Sequence, residues 1–262
     1  MDLEEKIGSV EEYLQIIHKN KEKNIKQGND EDFLFRGQKD DFILIPKIAR
    51  LQPKGELFNT EFLLLQEFKR TNPLLIDNQR PMDDWDYLTI GQHFGLPTRL
   101  LDWSNNALTA LWFAIWENDL QSQEAPYAVV WILMAEPKDY DINIEAVHPF
   151  EVKETKIIRP RIIKQRINNQ SAVFSIQPNQ EIEEKVPLNK ADSFKNKLLK
   201  IKIPSEKFQD IRTDLNTLGV NAFTIFPELE GLCSHLQWRY FYSGKNSMQE
   251  TLCNEANASF ST

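Results

Sequence analysis

Cysteine is almost missing from this chain. Only Cys233 and Cys253 occur, and the N-terminus, Met1-Asp2-Leu3-Glu4-Glu5, is acidic where an export signal would be basic and then apolar. A disulfide framework is therefore not expected. Histidine is scarce as well. The four histidines are far apart, and no Cys/His spacing suits zinc, so no metal site is expected. Long hydrophobic runs are also lacking. The two longest, Ala107 to Trp116 and Tyr127 to Ala135, are about half of the ~20 residues that a bilayer-crossing helix needs. These absences predict a soluble, cytoplasmic protein with no membrane partner. A cationic excess is lacking too. The formal net charge of -8 argues against non-specific DNA binding, in which neutralised phosphates dominate affinity. No dinucleotide fingerprint, phosphate loop or internal repeat is present.

What the chain does contain is enough apolar material for one core. Hydrophobic residues make up 41% of its 262 residues, with sixteen Phe and six Trp, and charged residues make up 27%, an ordinary globular balance. Charge is nevertheless uneven. Between Glu151 and Gln170, Lys153, Lys156, Arg159, Arg161, Lys164 and Arg166 face only two glutamates. This stretch reads either as a charged strand edge or as a face for a phosphate-bearing ligand or acidic partner.

Periodicity and capping residues divide the chain into elements. Ser9-Val10-Glu11-Glu12 is a capping box, followed by Val10, Tyr13, Leu14 and Ile17 on one helical face and Gly28 as a stop. Phe33 to Gln38 reads as a strand with Leu34 and Arg36 on one face and Phe33 and Phe35 on the other. Leu57 to Arg70 and Asp83 to Phe94 read as helices, the second capped by Asp83 and broken by Gly95 and Pro97. Thr98 to Asp102 is extended, and Ser104 or Asn105 caps a helix with Leu108, Leu111, Trp112 and Ile115 inside. Tyr127 to Met134 fits a central strand buried on both faces. Arg159 to Ser175 reads as two short strands around an Asn168-Asn169 turn, and Gln177 to Ser193 as a loop. Leu199, Ile201 and Ile203 alternate with lysines as a half-exposed strand. Ser205 caps a helix with Phe208, Ile211, Leu215 and Leu218 inside. Phe223 to Phe226 reads as a last strand, followed by a helix from Glu228 to Tyr240 with Cys233 in the core. The order lacks a regular βαβ repeat, so the expected fold is α+β: a single domain with a mixed or antiparallel sheet flanked by helices.

Three segments concentrate the chemistry. In the first, His93, Thr98, Arg99, Asp102 and Ser104 fall within twelve positions that join a helix end, a Gly/Pro turn, a strand and a new helix start. A helix N-terminus suits a phosphate, and Arg99 has Asp102 in reach as a structural ion pair. In the second, Arg36 sits on a strand beside Phe35. Its guanidinium fork matches phosphate or carboxylate, with Asp102 or Glu228 as internal alternatives. Gly37 beside it lets a backbone or a ligand come close. In the third, Phe226-Pro227-Glu228-Leu229-Glu230 places two carboxylates at a helix start, where they favour the dipole or serve a pocket as acid, base or electrostatic stabiliser.

Phe35-Arg36-Gly37-Gln38, Gln92 to Ser104 with the helix Ala107 to Ala114, a weaker Arg161-Ile162 and Phe174 to Pro178 motif, and Ile225 to Leu232 together resemble the FRG-domain family. The resemblance implies an N-terminal helix packed on the domain over 1–30, the FRG domain over 31–243 and a frayed tail over 244–262. Relatives of this kind are bacterial and phage-related, some near defence or toxin-antitoxin systems. The motif order is also similar to that of ADP-ribosyltransferases, which implies an ADP-ribosyltransferase-like fold and an effector or toxin that uses NAD as substrate and no metal. The implied catalytic residues are Glu228, Arg36 and His93, and the implied NAD-binding residues are Arg36, Gly37, Gln38, Thr98, Arg99, Asp102 and Ser104. The implied partners are a nucleic-acid or protein target, with an antitoxin or chaperone. The other reading is a non-catalytic binding module for a nucleotide, nucleic acid or protein. The sequence departs from the transferase pattern where Glu228 follows a proline and where no Ser-Thr-Ser triplet occurs.

Overall fold

The computed structural model describes residues 3–26, 28, 32–71, 81–116, 126–141, 143–159 and 172–243. The chain begins with a short strand, β1 (Leu3–Lys6), and the capped helix α1 (Val10–Lys26). β2 (Asp32–Gln38) follows, then a single helical turn, α2 (Lys47–Arg50), and the helices α3 (Leu57–Thr71) and α4 (Asp84–His93). β3 (Leu100–Ser104), α5 (Ala107–Ile115) and β4 (Tyr127–Ala135) form the middle of the chain. β5 (Lys156–Ile158), β6 (Ala172–Ile176) and α6 (Asn179–Glu183) come next. β7 (Leu198–Pro204), α7 (Phe208–Thr217), α8 (Ala222–Ile225) and α9 (Leu229–Gln237) complete it, with a π-helical turn over Trp238–Tyr242.

Among the described residues the strands form one seven-stranded sheet in the order β1-β7-β4-β2-β3-β6-β5. β1 runs parallel to β7, and the other neighbours are antiparallel, so the expected α+β fold with a mixed sheet is present. β4 is the centre that its unbroken apolar run predicts. Ala128, Val130 and Ile132 enter one core, whereas Val129, Trp131 and Leu133 enter the other, all at most 3% exposed. The first core is covered by α1, α5 and α7, whose Tyr13, Leu111, Trp112, Ile211 and Leu215 all lie within it. Each large side chain buried in this way contributes about 1.5–3 kcal/mol.

Several boundaries follow from local chemistry. Asp83 and Asp86 form a reciprocal capping box at α4, satisfying two of the donors a helix start leaves free. Gly95, at φ +87°, takes the left-handed conformation that ends it. Asn106, rather than Ser104 or Asn105, caps α5, accepting from Leu108 N at 3.0 Å and Thr109 N at 3.2 Å. Ser104 instead accepts from Asn106 N through its Oγ at 3.0 Å. Phe223 to Phe226 is not a strand. Asn221 builds a capping box with Thr224 and turns the segment into α8, so the local cap overrides the β propensity of its aromatic and branched residues. The stretch expected as a loop after Gln177 holds α6, and β1 is an edge strand that the acidic Leu3–Lys6 segment does not advertise. Cys233 and Leu218 are exposed rather than core, because α9 and α7 turn those positions to solvent. Arg161, Lys164, Arg166, the Asn168-Asn169 turn, Cys253 and the 244–262 tail lie outside the described residues.

Gly37 is where the sheet meets α5. A Cβ there would sit 2.0 Å from the Ala110 carbonyl oxygen and 2.6 Å from Ala114 N, so the close approach that a strand glycine permits is filled by a helix backbone.

Candidate functional site

β2 and β3 are paired only at Phe35↔Ser104. Beyond that rung the two strands part, and a cleft of about 440 Å³ lies between them and α5, inside the range of small-molecule sites. One end is polar, with Arg36, Gln38 and Lys39 from β2 and the turn after it, Arg50 from the end of α2, Gln92 and His93 from α4, and Asp102 from β3. The other is aromatic, with Phe113 and Trp116 from the α5 end and Phe226 following α8. These rings brace one another before any ligand arrives: Phe113 and Phe226 meet edge to face at 6.0 Å, and Trp112 stacks on Trp116 at 4.4 Å.

Arg36 is the most constrained group of the polar end. Its Nη1 donates to the Asp102 backbone carbonyl at 2.9 Å and lies 3.5 Å from Asp102 Oδ2. Its Nε is buried and has no acceptor among the described residues. Burial lowers the guanidinium pKa from its ordinary value, Asp102 opposes that shift, and the positive charge of Arg50 adds to it. Burial likewise lowers the Arg50 pKa, again against the pull of Asp102. Two partly desolvated guanidiniums thus share one carboxylate. Arg50 is anchored by Nε and Nη2, which both donate to Ile45 O.

Asp102 is held from behind. Gln92 Nε2 donates to its Oδ2 at 2.8 Å, Thr98 Oγ1 donates to Gln92 Oε1 at 2.6 Å, and Leu100 N donates to Thr98 Oγ1 at 3.2 Å. This chain of bonds fixes the carboxylate toward Arg36 while leaving its side chain 51% exposed.

The structure brings Arg36, Gly37, Gln38, His93, Asp102 and Ser104 together around the cleft. Thr98 is not part of its lining; fully buried, it acts only through Gln92. Arg99 is a correction. It sits in the bend just before β3 and turns toward α3 rather than Asp102, making a two-point ion pair with Glu61 at 3.0 and 2.5 Å. It also donates to Pro149 O and Asn179 Oδ1 and lies over the Phe150 ring. The expected Arg99–Asp102 pair is replaced by Arg36–Asp102. Glu228 is exposed at the N-cap of α9 and does not line the cleft, although Phe226 two residues before it does. Sequence reasoning missed Arg50, Gln92 as a positioning group, and the rings of Phe42, Phe113 and Trp116. The last two lie on the cleft side of a helix whose apolar stripe points to the core, and an i, i+3 pair of aromatics beside Trp112 was the available signal. Among the described residues, no group of three or more His, Cys, Asp or Glu is placed to hold a metal, and no helix is long and apolar enough to cross a membrane.

A family model for the FRG domain matches residues 31–123. The chain carries an FRG domain. The match runs from β2 through α5 and contains every residue of the cleft lining except Phe226, so the cleft is built almost wholly by the matched segment. No curated protein and no solved structure matches the chain.

Proposed function

We propose that the FRG cleft binds a ligand carrying a diphosphate and a planar base, the chemistry of NAD or ADP-ribose. The observation that carries this reading is Arg36, a half-buried guanidinium that shares one carboxylate with Arg50 and keeps its buried Nε donor without an acceptor among the described residues. A buried donor left in that state costs about 1–3 kcal/mol, which an incoming oxyanion recovers. Arg36 and Arg50 against Asp102 leave the polar end with an excess of positive charge for an anionic ligand. The rings of Phe113, Trp116 and Phe226 offer a stacking surface, worth about 1–3 kcal/mol per base in nucleic-acid sites.

The test is a thermal unfolding series with ADP-ribose. Binding to the folded state alone adds about 2.7 kcal/mol at a hundredfold excess over Kd, so the melting temperature is expected to climb with ligand. Arg36→Ala, which leaves Asp102 half in solvent and the fold intact, is expected to abolish the climb. A wild-type protein indifferent to ADP-ribose at millimolar concentration refutes the reading.

Asp102 supports a second reading, ADP-ribosyl transfer to a macromolecular acceptor. In that reaction the bond from ribose C1′ to the nicotinamide nitrogen breaks, nicotinamide leaves with the electron pair, and an acceptor nucleophile bonds to C1′. A carboxylate placed against the developing positive charge lowers the barrier. Within the cleft lining that carboxylate is Asp102, since Glu228 lies outside it. Incubation with NAD and candidate acceptors is then expected to release nicotinamide, with Asp102→Asn slowing it by on the order of 100-fold or more and Glu228→Gln leaving it nearly unchanged. The reverse ranking transfers the role to Glu228, and no release from wild type leaves the cleft as a binding site only.

A further inference from the structure

Gln38 lies two residues after Arg36 on the same face of β2, and its surroundings determine which way its amide points. Trp131, the β4 residue directly opposite Arg36, directs its indole N–H at Gln38 Oε1, 3.0 Å away in a buried contact. An indole N–H can only donate. The carbonyl oxygen of Gln38 must therefore face Trp131, and the NH2 group must face elsewhere. Gln38 is 5% exposed and lines the cleft, and its Nε2 finds no acceptor among the described residues. Arg36 Nε is in the same state. Two residues along a strand span about 6.6 Å, a distance that neighbouring phosphate oxygens of one diphosphate can bridge.

We propose that Gln38 is a specificity-determining residue of the cleft: beside Arg36, it donates from Nε2 to a phosphate oxygen of the ligand, and Trp131 locks it in the donor orientation. This rests on the diphosphate reading above and narrows it. Arg36 and Gln38 both turn donors to the cleft from β2, so this pair of side chains favours an oxyanion over a ligand group that donates. Asp102, on the opposite strand, remains the acceptor for hydroxyl or amino groups.

Gln38→Glu isolates the claim. The shape is kept and one carboxylate oxygen still accepts from Trp131, but the other oxygen faces the ligand as a negative acceptor. ADP-ribose is the probe, because its diphosphate holds its charge across the pH range used. By calorimetry near pH 7.5, Gln38→Glu is expected to weaken binding by on the order of 100-fold relative to wild type. Toward pH 5 the carboxyl protonates in part, burial and the bound diphosphate raising its pKa from the reference of about 4.3 against the opposing pull of Arg36 and Arg50. Its hydroxyl then donates as the amide did, and the ratio to wild type at the same pH should shrink by about tenfold. The double variant Gln38→Leu with Trp131→Phe removes both partners without adding charge or an unpaired donor. It is expected to lose about tenfold at either pH. Binding by Gln38→Glu within about threefold of wild type near neutral pH, a loss that does not recover on acidification, or wild-type affinity in the double variant each overturns the role of Gln38 while leaving the cleft reading intact. Failure of the wild type itself to bind ADP-ribose overturns the cleft reading first and this inference with it.

Discussion

Arg99→Ala is expected to destabilise the protein by about 3–5 kcal/mol, enough to lower the melting temperature by on the order of 10 °C or to prevent folding at 37 °C. Arg99 and its partner Glu61 on α3 are the most deeply buried ion pair described, with side chains 0% and 2% exposed. Every part of the guanidinium is engaged. Nε and Nη2 hold the two Glu61 oxygens, Nη1 holds Pro149 O and Asn179 Oδ1, and the flat face covers Phe150. Removing Arg99 strands a carboxylate in the interior and frees α3, the turn at Pro149 and α6 from β3 at once. The loss should be visible in urea or thermal unfolding. Replacing both partners, with Arg99→Met and Glu61→Leu, is expected to recover most of it, because such pairs often do little better than apolar residues of similar volume. A single-variant loss under about 1 kcal/mol would contradict this account.

Gly37→Ala is expected to be nearly as damaging, for a steric rather than an electrostatic reason. The added methyl would meet the Ala110 carbonyl oxygen at 2.0 Å, and neither side can yield locally. β2 is pinned by its ladder to β4, in which Gly37 pairs with Val130, and α5 is held by Leu111, Trp112, Ala114 and Ile115 in the core. The helix has to lift as a body. Overpacking of this kind costs about 1–3 kcal/mol or more, and because α5 carries Phe113 and Trp116 it also displaces the aromatic end of the cleft. The expected signature is a lower melting temperature together with a changed tryptophan emission and weakened ADP-ribose binding. Gly55→Ala is the control, since its nearest neighbour would be Thr60 Oγ1 at 3.9 Å and it should be close to neutral. Equal behaviour of the two alanine variants would refute the steric argument.

Much of this architecture was legible from the sequence because it is local. The caps at Ser9 and Asp83, the apolar run of β4 and the separation of Leu34 and Arg36 from Phe33 and Phe35 each depend on neighbours a few positions away. The cleft was legible to the extent that its polar wall is contiguous in sequence, from Arg36 to Gln38 and from Gln92 to Ser104. Partners at long range were not. Arg99 finds Glu61 rather than the nearby Asp102 because it precedes β3 in a bend that turns it to α3, and no local pattern records which glutamate waits there. The Phe223 to Phe226 segment misled for the opposite reason. Its composition favours a strand, yet one asparagine at the right offset nucleates a helical turn, and that displaces the late carboxylate Glu228 from the cleft lining.

The lone rung joining Phe35 to Ser104 has a mechanical consequence. It divides the sheet into a four-stranded ribbon ending at β2 and a three-stranded ribbon beginning at β3, joined by one ladder pair and splinted by α5. Torsion between the ribbons is resisted by few backbone bonds, with the Arg36–Asp102 contact as the side-chain link across the seam, so the cleft between β2 and β3 is the compliant dimension of the sheet. An occupant gripping both strands acts as a further link and stiffens the whole sheet from its middle.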